Sequence, residues 1–532
     1  MGTKNFSNAN DLITFSRASG GTALRKVAYS PELISNGEFT SDTSGWAALG
    51  ATQAIVSGEL EITTTSAGGG SWQLISVTPN KPHLLTLDRR VGTADIASVI
   101  VYDGGIPGSG APSLINDTDA GTFSEAFVPT NDTVSVYLRA AALSAGTTAY
   151  YDNISVKEVL FDQPGGTLQL FNHPTNIPRI EYDADGNLLG LLIEESRTNL
   201  ATRSNEFDNG AGWVAGRVDI TPNAAVSPDG NLNAYKLSQA AGETASGFIY
   251  DIVTVSNSAT YTASVFAKKG TSRDILTINE NIFDATSNFT YFDLSSGTVG
   301  TTDPAHTAVI EDVGNGWYRC SITFTSSQAA GYFQFRPLET DGSVTVTDNQ
   351  GFIYLYGAQL EQGSFPTSYI PTSGATATRA ADVASIPVSE FGYNQNQGTV
   401  VVEARTNNSG STDDYVFQLD DDTNNNRYVI RLNNTSGTTT FVVDNGSATA
   451  TDSGSVIGEG DTFKVAFAFS DSDQAVSLDG ASVQTFASAI PSNLLTLNLG
   501  STGTSAFLDG HIKSIRYFPL RLTNATLQEL TR

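Results

Sequence analysis

The chain has 532 residues and a formal net charge of −27, from 28 lysines and arginines against 55 aspartates and glutamates. At roughly 100–200 residues per domain, that length calls for three or four domains. So acidic a chain argues against partners that need a cationic surface, nucleic acid and anionic membranes among them. A single cysteine, Cys320, excludes an intrachain disulfide and a cysteine-based zinc site.

In chain order, Met1–Ser7 carries no apolar signal core, and Phe6 breaks the myristoylation pattern. The longest apolar stretches, such as Leu188–Ile193, are far shorter than the ~20 residues a membrane helix needs. Neither secretion by a standard signal nor membrane insertion is expected. Glycine is frequent, at 50 residues, and the segments between apolar stretches are dense in Ser, Thr, Asn and Asp. These residues favour turns and strand edges rather than helices. The expected fold is all-β.

An internal echo organises the chain. Ser35-Asn36-Gly37-Glu38-Phe39 precedes Gly45-Trp46, and Ser204-Asn205-Glu206-Phe207 precedes Gly212-Trp213. Each opens a run of short alternating strands, closing at Tyr150–Val156 and at Phe352–Leu360. The echo predicts two homologous β-sandwiches, 30–159 and 200–372. Val134, Val136 and Leu138 alternate with Ser135, Tyr137 and Arg139, and Tyr261, Ala263, Val265 and Ala267 with Thr262, Ser264, Phe266 and Lys268. Such a period of two gives one buried and one wet face. Cys320 falls in a similar alternation and is expected in the core.

The small-residue run Ser373–Ala381 reads as the centre of a linker, 373–395, before a third β region, 396–532. There Phe463, Val465, Phe467 and Phe469 alternate with Lys464, Ala466 and Ala468. Asp479-Gly480 and Asp509-Gly510 are two-residue hairpin signals. One short C-terminal helix is expected, capped by Asn524 with Leu527 and Leu530 on its apolar side.

Several segments resemble a family of bacteriophage appendage proteins. Leu12–Ser19 is similar to the family's opening strand. Pro178–Asp183 followed by Gly190-Leu191-Leu192-Ile193-Glu194-Glu195-Ser196-Arg197-Thr198-Asn199-Leu200 is similar to its signature. In relatives these pieces sit close together; here residues 30–159 lie between them. The resemblance implies a sandwich inserted into a small N-terminal attachment module, 1–29 with 160–199. The first sandwich resembles jelly-roll carbohydrate-binding modules, through Asn36–Phe39, Gly45-Trp46 and Asp152–Val156. The second resembles a module of phage fibres, through Gly314–Arg319, Gly357–Glu361 and Pro366–Thr372. The third resembles concanavalin/laminin-G-like sandwiches, through Gly510–Tyr517 and Pro519–Leu522. These resemblances imply a non-enzymatic virion protein, made in the bacterial host cytoplasm and carried on the particle exterior as a tail fibre, spike or head fibre. They imply contacts to other virion proteins through the N-terminal module, a host surface glycan or receptor as partner, and a homo-oligomer, often a trimer. They also imply one structural calcium held by Glu38 and Asp152 with main-chain oxygens, ligands that suit this ion. A polysaccharide depolymerase and a prophage-encoded surface adhesin stand as alternatives.

Catalytic patterns are missing. His83, His173, His306 and His511 have no metal-ligand spacing, and no phosphate-binding glycine loop is followed by a lysine. Glu194 and Glu195 are adjacent on a strand and point to opposite faces, so they do not converge on one glycosidic bond. Arg197 is placed to pair with Glu195. Asp420–Asn426 reads as a solvated hairpin loop. Sugar binding needs exposed aromatic faces. Trp72, Tyr102 and Tyr137 are the candidates, Tyr137 above all because it shares a face with Ser135 and Arg139. Trp46, Trp213 and Trp317 are expected in cores.

Overall fold

A computed structural model of the chain describes residues 13–141, 145–208, 210, 212–243, 245–281, 287–347, 351–407, 413–433, 438–445, 449–458 and 460–532. Met1–Ser7 and Leu12 of the opening segment lie outside them. The protein is all-β, with every named strand pair antiparallel. Among the described residues no helix is long and apolar enough to cross a membrane. The chain folds as two compact units: residues 26–167, and the described residues before and after them.

The unit 26–167 is a jelly roll. One sheet runs Ala47–Leu49, Gly70–Ser76, Thr133–Ala141, Ile96–Asp103, Ser113–Asp117. The other is built around His83–Val91 and Thr148–Phe161, with Gly121–Phe127 and Glu59–Thr64 beside them. The alternating residues Val134, Val136 and Leu138 fill the space between the sheets with Val99, Leu85 and Tyr151. Both ends of the unit lie in one ladder, where Val27–Tyr29 pairs with Phe161–Val159.

The other unit holds two sandwiches. The first repeats the strand order of the jelly roll and adds one edge strand to each sheet. Its sheets run Trp213–Gly216, Phe248–Thr254, Ala330–Leu338, Ile275–Asn281, Ser287–Asp293, Thr298–Val299, and Val218–Val226, Leu232–Gln239, Phe352–Gln362, Thr260–Lys269, Trp317–Thr325, Thr307–Gly314. The echo marks equivalent core positions. The Trp46 indole donates to the Asn36 carbonyl at 3.0 Å and that of Trp213 to the Arg203 carbonyl at 2.8 Å, each ten residues back. Phe39 packs on Trp46 and Phe207 on Trp213, with ring centroids 5.7 and 5.0 Å apart. Cys320 and Trp317 are buried, as their alternation predicts.

Asp251 breaks the pattern. It sits on the inward side of its strand, between Trp213 and Phe333 in register, and is buried. Burial pushes its carboxyl up to about 6 from the ordinary 3.8. A carboxyl raised on folding adds stability that is complete below its unfolded pKa and is lost as pH rises through the folded value. The Asp251→Asn variant should therefore gain on the parent between pH 4 and pH 8. The gain should be on the order of 2–3 kcal/mol in urea denaturation at the two pH values. An unchanged difference between parent and variant would show that Asp251 is solvated.

The C-terminal sandwich packs two seven-stranded sheets over Phe463, Val465, Phe467 and Phe469, all inward as their alternation predicts. Here the structure corrects the domain layout. Thr14–Ser16 pairs with Val383–Pro387 in one sheet, while Ile180–Tyr182 and Leu188–Ile193 extend the other through Gly510–Phe518. These described segments belong to the C-terminal sandwich, Thr14–Ser16 and Ile180–Tyr182 at its sheet edges and Leu188–Ile193 one strand in, and are not a separate attachment module. Residues 373–395 are not a linker either: Ala377–Arg379 pairs with Arg197–Asn199, and Val383–Pro387 lies inside a sheet. Asp479-Gly480 makes its hairpin turn with both φ positive. Asp509-Gly510 does not: Gly510–Phe518 pairs with Gln397–Thr406 and Leu188–Ile193 instead. The helix Asn524–Leu530 is capped one residue earlier than predicted, by Thr523, whose hydroxyl accepts from the Thr526 N–H.

A buried ion cluster ties these segments down. Arg179 Nη2 lies 2.8 Å from Glu194 Oε2 and also pairs with Asp382, Arg17 Nη1 lies 3.1 Å from Asp382 Oδ1, and Arg379 Nη2 is 3.5 Å from Glu194. All five side chains are almost wholly shielded from solvent. Glu194 also accepts from the Ser368 N–H and hydroxyl, each at 2.7 Å. The adjacent Glu195 pairs with Arg197 at 2.5 Å, as predicted, although both glutamates lie just past the strand Leu188–Ile193 and not on it.

Candidate outer-face site

In each jelly roll one sheet turns its outer face away from the core. In the unit 26–167, register places Ala47, Trp72, Tyr137, Ile100 and Asn116 in one row across that face. Leu74, Ser135 and Tyr102 form the next row, and Gly70, Arg139 and Ser98 the row on the other side. The three sequence-predicted aromatics thus share a face. Trp72 and Tyr102 are half-buried there. Tyr137 is not exposed as expected; it is buried. Its hydroxyl donates to the Gly68 carbonyl at 2.8 Å, and Ser135 Oγ donates to the Gly105 carbonyl at 2.6 Å. Two glycine-bearing loops, around 65–69 and 104–111, fold over the centre of the sheet. Burial pushes the Tyr137 phenol up. Gly70 permits this packing, since a Cβ there would lie 2.6 Å from the Tyr137 ring. Leu74 stays 49% exposed beside Trp72.

The second jelly roll carries the same rows. Val214, Tyr250, Gln334, Asn279 and Phe289 align across it; Ile252, Tyr332 and Asn281 flank them on one side, and Phe248, Arg336, Thr277 and Tyr291 on the other. Counting from the equivalent tryptophans, Tyr250 stands where Trp72 does, Ile252 where Leu74 does and Arg336 where Arg139 does. Ile252 is 64% exposed. Tyr250 and Tyr332 lie 4.7 Å apart, with Phe248 at 6.0 Å from Tyr250. The Arg336 guanidinium spans Phe248 and Phe289 at 5.1 and 5.3 Å and is fixed by Gln334 Oε1 and Ser246 Oγ at 2.7 and 2.8 Å. Burial, then the charge of Arg217, lowers the Arg336 pKa.

Sequence reasoning missed this second face. The signal was present: Phe248–Ile252 and Tyr332–Arg336 carry large apolar residues on both sides of the strand. One side is the core (Ile249, Phe333, Phe335). A half-exposed aromatic stripe on the other (Phe248, Tyr250, Tyr332 and Phe289), beside the buried Gln334, Asn279 and Thr277, offers flat apolar area and fixed donors of the kind that take a planar-faced polar ligand.

The expected calcium ligands lie at a seam. The Ile154 N–H donates to the Gly37 carbonyl at 3.0 Å, and a Cβ on Gly37 would collide with the Ile154 carbonyl, so glycine is required there. This brings Glu38 toward Asp152, whose Oδ1 is buried without a hydrogen-bond partner. Partial burial, then the charges of Glu59, Asp88 and Glu38, raise the Asp152 pKa. Among the described residues no three His, Cys, Asp or Glu side chains are grouped to hold a metal. Calcium takes six to eight oxygens, so main-chain oxygens would have to supply most of the set.

No family model matches the chain, and no curated protein matches it. Similar solved structures include the CBM40 of a Ruminococcus gnavus IT-sialidase bound to alpha2,3 sialyllactose (15% identity over 26% of this chain and 84% of that one, TM-score 0.24). The N-terminal CBM22-1-CBM22-2 tandem domain of Paenibacillus barcinonensis Xyn10C is similar over 65% of this chain and 100% of its own, at 12% identity and TM-score 0.21. A Trypanosoma rangeli sialidase is similar over 92% and 84%, at 9% identity and TM-score 0.24.

Proposed function

We propose that this protein binds glycans through the outer sheet faces of its two jelly rolls, as a non-enzymatic appendage of a phage particle that attaches to the host surface. One observation carries the binding: an aromatic ring, an exposed aliphatic side chain and an arginine recur at equivalent register on both outer faces, Trp72, Leu74 and Arg139 in one and Tyr250, Ile252 and Arg336 in the other. Recurrence inside the cores is explained by packing. Recurrence among side chains that stay half-buried or exposed is not, and it matches the demands of a pyranose, whose apolar side stacks on a ring while its hydroxyls take hydrogen bonds. The phage setting rests on the resemblance of Pro178–Asp183 and Gly190–Leu200 to appendage proteins.

A glycan array probed with the full chain should show binding. Trp72→Ala and Tyr250→Ala should each weaken one site about tenfold, roughly 1–2 kcal/mol. Leu520→Ala, an exposed aliphatic outside both jelly rolls, should change nothing. Binding that survives both aromatic losses refutes the assignment of the faces. Labelled antibody against the chain should decorate purified particles, and bare particles would remove the virion role. The same reading places a structural calcium at Glu38 and Asp152. Millimolar calcium should raise one melting transition of the chain, and the rise should vanish in Asp152→Asn; a melt indifferent to calcium excludes the ion.

A further inference from the structure

A cavity of about 340 Å³ opens where the strands Thr307–Gly314 and Trp317–Thr325 meet the hairpin around Tyr182–Leu189 and the strand Gln397–Thr406. That is the small end of the ~300–1,000 Å³ range of ligand pockets. Its lining shares no residue with either outer face and joins aromatic side chains to fixed charges.

Most of those charges are committed. Glu181 accepts from the Leu24 N–H at 3.1 Å and holds His511 Nε2 at 2.7 Å. Arg405 Nε donates to the Gly460 carbonyl. Two are not. Arg319 is nine-tenths buried, yet its guanidinium makes one hydrogen bond, from Nη2 to Ser264 Oγ at 3.2 Å, and its Nε has no partner. It lies over the Phe266 ring at 5.4 Å. Glu311 faces it in register on the neighbouring strand, and the two do not close an ion pair. Crowding around its carboxyl, then the charge of Glu181, raises the Glu311 pKa against Arg319, Arg405 and His511, although the residue as a whole stays open to solvent. A buried guanidinium short of acceptors is costly unless something supplies them.

We propose that this cavity binds one neutral pyranose ring, with adjacent hydroxyls bridging Glu311 and Arg319. A hydroxyl donates to the carboxylate and accepts from the guanidinium, so a vicinal diol satisfies both groups at once. An anionic sugar would meet Glu181 and Glu311, and a cationic one Arg319 and Arg405. The site does not depend on the outer faces.

The test uses the full chain carrying Trp72→Ala and Tyr250→Ala, which removes the outer faces, and saturation-transfer NMR. Its probes are the methyl glycosides of glucose, galactose and mannose, with methyl glucuronide as the anionic control. At least one neutral glycoside should bind this background, and adding Glu311→Gln or Arg319→Gln should weaken it tenfold or more. Glu311→Gln, at an open position, keeps the test valid should the buried change unfold the protein. Absence of neutral-glycoside binding in the background, binding unmoved by Glu311→Gln, or glucuronide binding as tightly as the neutral sugars would each overturn the site. Failure of the outer faces reads out separately, as parent and background binding array glycans alike.

Discussion

Asp382→Ala should destabilise the larger unit by about 3–5 kcal/mol, the cost of stripping one partner from a buried ion cluster. The loss exceeds that of one hydrogen bond because Asp382 neutralises three guanidiniums together with Glu194. Without it Arg17, Arg179 and Arg379 face one carboxylate inside a shell that excludes water. The cluster is already strained in charge: burial, then Arg179, lowers the Arg17 pKa to about 10. Burial alone would raise the Glu194 carboxyl, but Arg379, Arg179 and the two Ser368 bonds hold it well below the usual carboxylate range. A carboxylate depressed on folding contributes stability above its unfolded pKa and loses it as pH falls through the folded one. Acid should therefore erode this unit below about pH 4, the reverse of the Asp251 effect. Urea denaturation of Asp382→Ala at pH 7 checks the magnitude. Lys513→Ala, which breaks an exposed pair with Glu403 in the same unit, sets the baseline for a surface ion pair. A midpoint for Asp382→Ala no lower than that baseline would mean that the cluster is solvated and holds nothing.

Trp46→Ala and Trp213→Ala should each cost about 3–5 kcal/mol, the range for deleting a large aromatic from a core. Each also strands the carbonyl that its indole satisfied, Asn36 in one case and Arg203 in the other. The two losses fall in different units. Scanning calorimetry should show Trp46→Ala lowering one transition and Trp213→Ala a different one, with the remaining transition unmoved in each case. A single transition shifted equally by both variants would show that the units do not unfold separately.

Strand identity was legible because period-two alternation survives any tertiary context: Val134–Leu138 and Phe463–Phe469 bury the side their sequence marks. The duplicated jelly roll was legible because a Ser-Asn opening with a phenylalanine, followed by a Gly-Trp pair, recurs in the chain, and both aromatic residues of each copy are core. Long-range partners were not. Thr14–Ser16 spans three residues, too few for any period, and what positions it is Arg17 reaching Asp382 far along the chain. Residues 373–381 read as a linker because Ser, Gly, Ala and Thr suit a short exposed strand and a flexible tether equally well. Of the candidate face, Trp72 and Tyr102 lie half-buried on the outer side, where the period of two puts them. Tyr137 was misjudged because its cover comes from two glycine-bearing loops distant in sequence. Tyr250 and Tyr332 were missed because strands apolar on both sides look like core.

The ladder between Val27–Tyr29 and Val159–Phe161 has an evolutionary corollary. Paired antiparallel residues stand about 4.5–5.5 Å apart, so the chain leaves and re-enters at nearly one point. A tight turn could bridge that gap in place of the whole 26–167 body, and a foreign sandwich with neighbouring termini could be spliced there without redesigning its host. The junction is suited to replacing the 26–167 sandwich by another while the ion-locked remainder of the chain is left intact.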